Sequence, residues 1–323
     1  MKLASYNDGS RDGQLVVVSR DLSLAHYATG VATRLQQVLD DWNFMSPQLQ
    51  ELSQTLNHGK ARHAFAFDPA KCMAPLPRTG QWAQASAYPS HLQRLHPGSA
   101  PSSEPLFSQR ASDELLAPHA AIDLPSDKMG IDFAAGLAVV TGDVARGSSA
   151  DAALESVRLL LLSNDISLRQ LAPAELARGQ GLVLSQPGTA FGPVAITPDE
   201  LGGAWQRGRV HLSLHCTVNG KRFGVCDTGP EMGQHFGQLI AYLAQTRRLR
   251  AGSIIGSGPI SGSDATRGFS NLAEKRAQEM ADKGEARTDW LRAGDNVRID
   301  VKDLDGQSLF GAIEQSLPDH DGE

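Results

Sequence analysis

A chain of 323 residues that is 41% hydrophobic and 20% charged holds enough apolar material for a large core, in one large or two modest domains. Its net charge of −6 leaves no basic footprint for a nucleic-acid partner, and no apolar run approaches the roughly 18 residues of a membrane span. Cys72, Cys216 and Cys226, odd in number and without a C-x-x-C spacing, suggest neither a disulfide framework nor a zinc site; with the polar start MKLASYNDGSRDG they point to the cytoplasm.

In chain order, turn chemistry at Asn7-Asp8-Gly9 and Asp12-Gly13 precedes a strand over residues 14–19. Leu35, Val38 and Leu39 at helical spacing predict a helix within 31–42, and Leu49, Leu52 and Leu56 a second over 47–56. Pro69, Pro75 and Pro77 mark a linker over 65–78, so a domain boundary is placed at 78: a small α/β N-terminal domain (1–78) ahead of a β-rich one (79–323). Residues 97–103, PGSAPSS, read as a loop. The stretch 129–144, MGIDFAAGLAVVTGDV, reads as a buried strand on which Ala134 and Gly136 share a face. Ser148-x-x-Asp151 predicts a helix cap, and Leu154, Val157, Leu160 and Leu161 a helical stripe, leaving Asp165 in an Asn-Asp-x-Ser turn after the helix.

Farther on, Val210, Leu212, Leu214, Cys216 and Val218 alternate up to Asn219-Gly220, which predicts a hairpin with Cys216 on its apolar face. Residues 233–248 read as a helix with Phe236, Leu239, Ile240 and Leu243 inward. A strand at 253–255 runs into Gly256-Ser257-Gly258-Pro259, and Val297, Ile299 and Val301 form another, resuming at Leu309-Phe310. Strands outnumber helices in this part, with neither internal repeats nor low-complexity segments.

Several of these phrases resemble the fumarylacetoacetate hydrolase family, two-domain bacterial type: Asp132-Phe133 with Leu137 to Val140, APLPR and QWA around the boundary, NDxSLR at 164–169, FGPVAITPDEL at 191–201, FGQLIA at 236–241, IIGSG at 254–258 and FGAIEQ at 310–315. The resemblance implies an α+β, β-rich fold: a mixed β-roll or barrel C-terminal domain with a small α/β N-terminal domain. It also implies a dimer that cleaves a C–C bond or decarboxylates acylpyruvate-like 2-oxo or dicarbonyl acids with Mg²⁺ or Mn²⁺, as in aromatic catabolism. In such a site, carboxylates gather around a hard cation that polarises the substrate, a histidine acts as base, and a lysine or arginine binds the developing oxyanion.

Position by position, the chain departs from that pattern. The family's D-G-S-A-Y-x-x-H reads Gln84-Ala85-Ser86-Ala87-Tyr88-Pro89-Ser90-His91 here, so a metal carboxylate becomes an amide while the base histidine stays. In the family's D-F-E-x-E, Ala134 and Gly136 replace both glutamates, and Asp165 is the only ligand position retained. The family's S-K-P and G-S-G-T become Ser185-Gln186-Pro187 and Gly256-Ser257-Gly258-Pro259, and the segment that follows is about ten residues shorter than in the family. Tyr88, Gln186, Gly258, Pro259 and Glu274 are assigned to the substrate pocket. Arg169 is expected to pair with Asp165 or another acid.

His211 and His215, four apart on a strand and thus about 13 Å from each other, cannot share an ion, and Asp227, Glu231 and His235 read as a solvated cap beside Gly229-Pro230. The five polar losses cluster on the site while folding phrases persist. The first reading is therefore a degenerate family member, a pseudoenzyme that binds no metal and acts as a binding or partner subunit, as a homodimer or with an active paralogue. The alternative is a working hydrolase or decarboxylase with weakly held Mg²⁺ or Mn²⁺, using His91, Asp165, Glu274 and Glu175. A third is a copy without selected function.

Overall fold

The computed structural model describes residues 1–98, 104–179 and 181–319; most of the loop expected over 97–103 lies outside them. The chain opens with an antiparallel meander, β1 (Lys2–Tyr6), β2 (Gln14–Val18), β3 (Leu24–Tyr27) and β4 (Phe65–Ala66), against which α1 (Leu35–Asp40) and α2 (Trp42–Asn57) pack. The second helix starts at Trp42 rather than at 47 and carries Pro47 inside it. Burial of Leu49 and Leu56 holds the helix across the proline, whose missing N–H would otherwise end it. The 65–78 stretch is not a free tether. β4 pairs with β3, Asn7 N–H donates to Lys71 O (2.8 Å), and Met73 N–H donates to Ser5 O (2.9 Å).

The remaining strands are β5 (Trp82–Ala85), β6 (Phe107–Gln109), β7 (Ile131–Asp132), β8 (Ala135–Thr141), β9 (Val157–Leu168), β10 (Gly188–Phe191), β11 (Ala195–Ile196), β12 (Trp205–Gln206), β13 (Arg209–Val210), β14 (Ser213–Val218), β15 (Lys221–Asp227), β16 (Ile254–Pro259), β17 (Asn296–Lys302) and β18 (Ile313–Ser316). Between them lie α3 (Pro89–Leu95), α4 (Ala150–Leu154), α5 (Ala172–Ala177), α6 (Phe236–Leu243) and α7 (Leu272–Lys283). One twelve-stranded sheet runs β4-β3-β2-β1-β11-β9-β8-β16-β5-β6, with β7 and β10 also on β9. It is mixed, since β16 and β5 pair in parallel, and its path is open at β4 and β6, so the described residues form no closed barrel. A second sheet, β15-β14-β17-β18, contains the hairpin expected at Asn219-Gly220. Because β1 joins β11, the N-terminal strands and the later ones share one sheet.

β9 is where sequence and structure part most clearly. The apolar stripe expected to be helical ends with α4, and 157–168 is a strand, so Asp165 sits inside a ladder opposite Thr189 rather than in a turn. A strand buried on both faces loses the polar alternation that marks strands, and a continuous apolar run then also fits a helix. Its two faces feed two cores: Leu160, Leu162 and Ile166 pack in one, Leu159 and Leu161 in the other. β8 divides the same way, with Leu137 and Val139 against Ala138 and Val140. Two smaller differences follow: the helix expected over 233–248 shortens to α6, and the strand expected at Leu309-Phe310 forms at β18.

Asn164, fully buried on β9, donates through Nδ2 to Gln315 Oε1 (2.8 Å) and accepts from the Ala134 N–H (3.0 Å). This amide ties β18 and the entry to β8 onto the central strand. Asn164→Ala strands both partners away from water and should lower the unfolding free energy by about 2–4 kcal/mol. Urea denaturation checks this, and a loss below ~1 kcal/mol would contradict it.

Candidate functional site

The ends of β5, β9 and β16, the segment after β6, and helices α3 and α7 enclose a cavity of about 730 Å³. Gln84, His91, Ala134, Asp165, Gln186 and Pro259 all line it. Pro89 opens α3 at its first position, where a missing N–H is harmless, and this fixes where His91 begins to project.

The second helix of the site is anchored from below. Asp132, with no solvent exposure, accepts from the N–H groups of Leu272 (2.7 Å, at Oδ1) and Ala273 (3.2 Å, at Oδ2) at the start of α7, while Arg169 Nη2 also lies 2.8 Å from Oδ2. Burial pushes the Asp132 carboxyl upward against the pull of Arg169 and the two N–H donors. Arg169 thus pairs with Asp132, not Asp165. Asn271 caps the helix by accepting from Glu274 N–H (2.8 Å), which sets the Glu274 carboxylate in the first turn.

Glu274, 1% exposed, lies behind the cavity wall and meets His91 Nδ1 at 2.5 Å. Arg94 Nη1 (3.0 Å), Ser261 Oγ (2.8 Å) and Asn271 Nδ2 (3.1 Å) also donate to it. Burial alone would raise this carboxyl, but the bonds from His91, Ser261 and Asn271 outweigh it and hold Glu274 below the ordinary carboxylate range. The ionised carboxylate accepts, so Nδ1 carries a proton, and in the neutral tautomer that this bond selects the lone pair is on Nε2. No described residue bonds Nε2, and His91 lines the cavity, so a base is present there.

At the opposite wall Asp165 is fully engaged. Arg110 Nε donates to Oδ2 (2.7 Å), and Thr189 Oγ1, itself holding the Trp82 indole N–H (2.9 Å), donates to Oδ1 (2.8 Å). The side chains of this pair are 9% and 3% exposed, so the pair is buried. Next to it Gln84, also 3% exposed, has no partner for either amide atom. Gln186 accepts from Ser167 Oγ (3.3 Å).

Three residues expected in the pocket lie elsewhere. Tyr88 is buried in the core and donates to Thr228 O (2.5 Å), with burial pushing its phenol strongly upward. Gly258 packs its backbone against β5, where at φ +81° a Cβ would lie 2.2 Å from Ala85 O. Glu274 orients His91 from behind instead of lining the space. Glu175 is also committed: it accepts from the Ser185 hydroxyl and from the N–H groups of Ser185, Leu184 and Val183, and these bonds, the hydroxyl's most of all, hold its carboxyl at about 2. Sequence reasoning missed Arg110, Arg94 and Arg276. Arg94 follows His91 by three positions on one helix face, a usable signal; nothing around Arg110 in PLFSQR marks it.

Models of known families match nearly the whole chain: the fumarylacetoacetase N-terminal domain 2 over residues 1–78 and the fumarylacetoacetate (FAA) hydrolase C-terminal domain over 81–316. The chain belongs to the fumarylacetoacetate hydrolase family. A 2,4-didehydro-3-deoxy-L-rhamnonate hydrolase of Sphingomonas sp. (strain SKA58) is 30% identical over 158 residues, 48% of this chain and 52% of that protein, so the match spans about half the length of that relative. Among solved structures, the maleylpyruvate hydrolase of Sphingobium sp. SYK-6 in complex with manganese(II) and pyruvate has a TM-score of 0.66 at 16% identity, covering 99% of this chain and 100% of that one. The fumarylacetoacetate hydrolase of Exiguobacterium antarcticum has a TM-score of 0.65 at 17% identity, covering 98% and 99%. These two likenesses are of fold.

The family implies a divalent cation, and the donor set here does not fit one. Of the four ligand positions, Ala134 and Gly136 carry no donor, Gln84 offers an amide, and both oxygens of Asp165 already accept hydrogen bonds. Space is missing as well: a Cβ at Gly136 would lie 2.7 Å from Gly258 O, so a glutamate there requires the backbone to move. Among the described residues no group of three or more His, Cys, Asp or Glu side chains is arranged to hold a metal ion.

Glu274→Gln tests the electrostatics of the base. A carboxyl with a lowered folded pKa stabilises fully above its unfolded pKa and loses that contribution as the pH falls through the folded value. The variant should be about 3–5 kcal/mol less stable near neutrality, and the deficit should shrink in acid. Urea denaturation across pH checks it; a pH-independent deficit would contradict an ionised Glu274.

Proposed function

We propose that this chain is a member of the family that keeps the cavity and the histidine base without the metal-assisted step, and that it serves as a binding or partner subunit for a small 2-oxo or dicarbonyl acid. The observation that carries this reading is Asp165. The one carboxylate at a family ligand position is held in a buried ion pair by Arg110. Releasing it for a metal would strand a guanidinium away from water, which disfavours exchange by several kcal/mol. In this reading the chain assembles as a homodimer or with an active paralogue in the cytoplasm. Among the described residues no helix is long and apolar enough to cross a membrane.

A second reading rests on the His91–Glu274 pair: a weak hydrolase or decarboxylase of acylpyruvate-like acids in which His91 Nε2 takes a proton from water or substrate. Without metal polarisation of the substrate's oxygens the barrier rises by several kcal/mol, a loss of about a thousandfold or more in rate.

An acylpyruvate cleavage assay with Mg²⁺ or Mn²⁺ separates the two. Whereas the second reading expects a slow, metal-insensitive turnover about a thousandfold or more below that of a relative with all four carboxylates, the proposal expects no turnover above the uncatalysed background, with or without metal. Metal-dependent turnover at a rate like the relative's would refute it. His91→Ala abolishing a slow, metal-insensitive turnover would instead establish the second reading.

A further inference from the structure

The floor of the cavity is charged and its walls are apolar. Arg110 spends Nε on Asp165 and Nη1 on Ser108 Oγ (2.6 Å), while Nη2 has no partner among the described residues. Gln84, which also lines the cavity, has its amide closed off from solvent, with Oε1 packed at Gly256. Above this floor rise Leu92 and Leu95 of α3, Leu106, Leu176, and Met280 and Trp290. Leu106, Leu176 and Met280 are 51%, 60% and 52% exposed, an unusual share of bare apolar surface at one mouth.

The charges sort into pairs with one cation left over. Arg110 is matched by Asp165, Arg169 by Asp132 and Arg94 by Glu274. Arg276, also on the lining, has only the Thr288 carbonyl and the Trp290 ring, 4.4 Å away, and no carboxylate among the described residues. The cavity therefore carries a surplus of one positive charge. A volume of about 730 Å³ also lies well inside the range that holds drug-sized ligands, so a three-carbon acid would leave most of it empty.

We propose that the Arg110 guanidinium takes over the electrostatic task of the family's divalent cation, and that the cavity binds, without metal, a monoanionic organic acid with an apolar acyl or aryl tail. The carboxylate lies against the free edge of Arg110, and the tail runs out between α3 and α7. Guanidinium suits this role because it is always charged, weakly hydrated and presents N–H groups in a fixed plane that matches a carboxylate. The inference rests on the metal-free reading above and adds the ligand class and the residue that recognises it.

The test is calorimetric titration of the full chain in excess EDTA with phenylpyruvate and with pyruvate. Phenylpyruvate is expected to bind in EDTA roughly tenfold or more tighter than pyruvate, and equally well when Mn²⁺ replaces the chelator. The double variant Arg110→Gln with Asp165→Asn, which removes both charges and strands neither, is expected to lose roughly tenfold or more. Arg276→Gln, which removes the unmatched positive charge from the lining, is expected to weaken binding severalfold and serves if the double variant does not fold. No binding in EDTA, equal affinity for the two acids, or wild-type affinity in a folded variant would overturn the proposal. Failure of the parent reading looks different: it appears as metal-dependent turnover in the cleavage assay, whatever the affinity in EDTA.

Discussion

The buried pair between Arg110 and Asp165 is the constraint on which the site depends. A carboxylate taken out of water needs a compensating charge, and in this family a divalent ion shared among several acids supplies it. Here one acid remains and one guanidinium matches it at 2.7 Å, with Thr189 and Trp82 completing a hydrogen-bonded row behind. Such a pair adds little net stability against an apolar substitute, yet breaking it is strongly unfavourable. In the proposed reading, the pair once formed disfavours a metal ion at this position.

What holds the pair in place is the central strand. β9 carries apolar residues on both faces, and its ladders with β8, β10 and β11 leave the end with Asp165 and Ser167 at the cavity. On the far wall the chain of command runs from Asp132 through the start of α7 to Glu274 and on to His91. The two halves are built differently. The histidine side is over-determined, with Glu274 satisfied by four side chains, whereas the Gln84 side has an amide without partners. In the proposed reading the first half holds the base and the second the anion.

Much of this was legible in the sequence, but unevenly. The alternation of Val210 to Val218 with Asn219-Gly220 gave a hairpin its correct place, because a half-exposed strand prints its period on the sequence. β9 did not, because burial on both faces erases that period. The loss of carboxylates at 84, 134 and 136 could be read from residue identity alone. Its compensation by Arg110 could not, since Arg110 and Asp165 are 55 residues apart and meet only through the β6 and β9 ends of the sheet. In the same way Glu274 was singled out by resemblance, while its role in orienting His91, across 183 residues, is a fact of the fold.

The central claim is that a guanidinium now occupies the electrostatic place of a metal ion. Calorimetric titration of purified, metal-stripped protein with Mn²⁺, with and without oxalate, tests it most directly. The account predicts no specific heat of binding at millimolar Mn²⁺, in either case. Micromolar binding that oxalate enhances would contradict it, because Asp165 would then be free to leave Arg110 and the cavity would hold a cation after all.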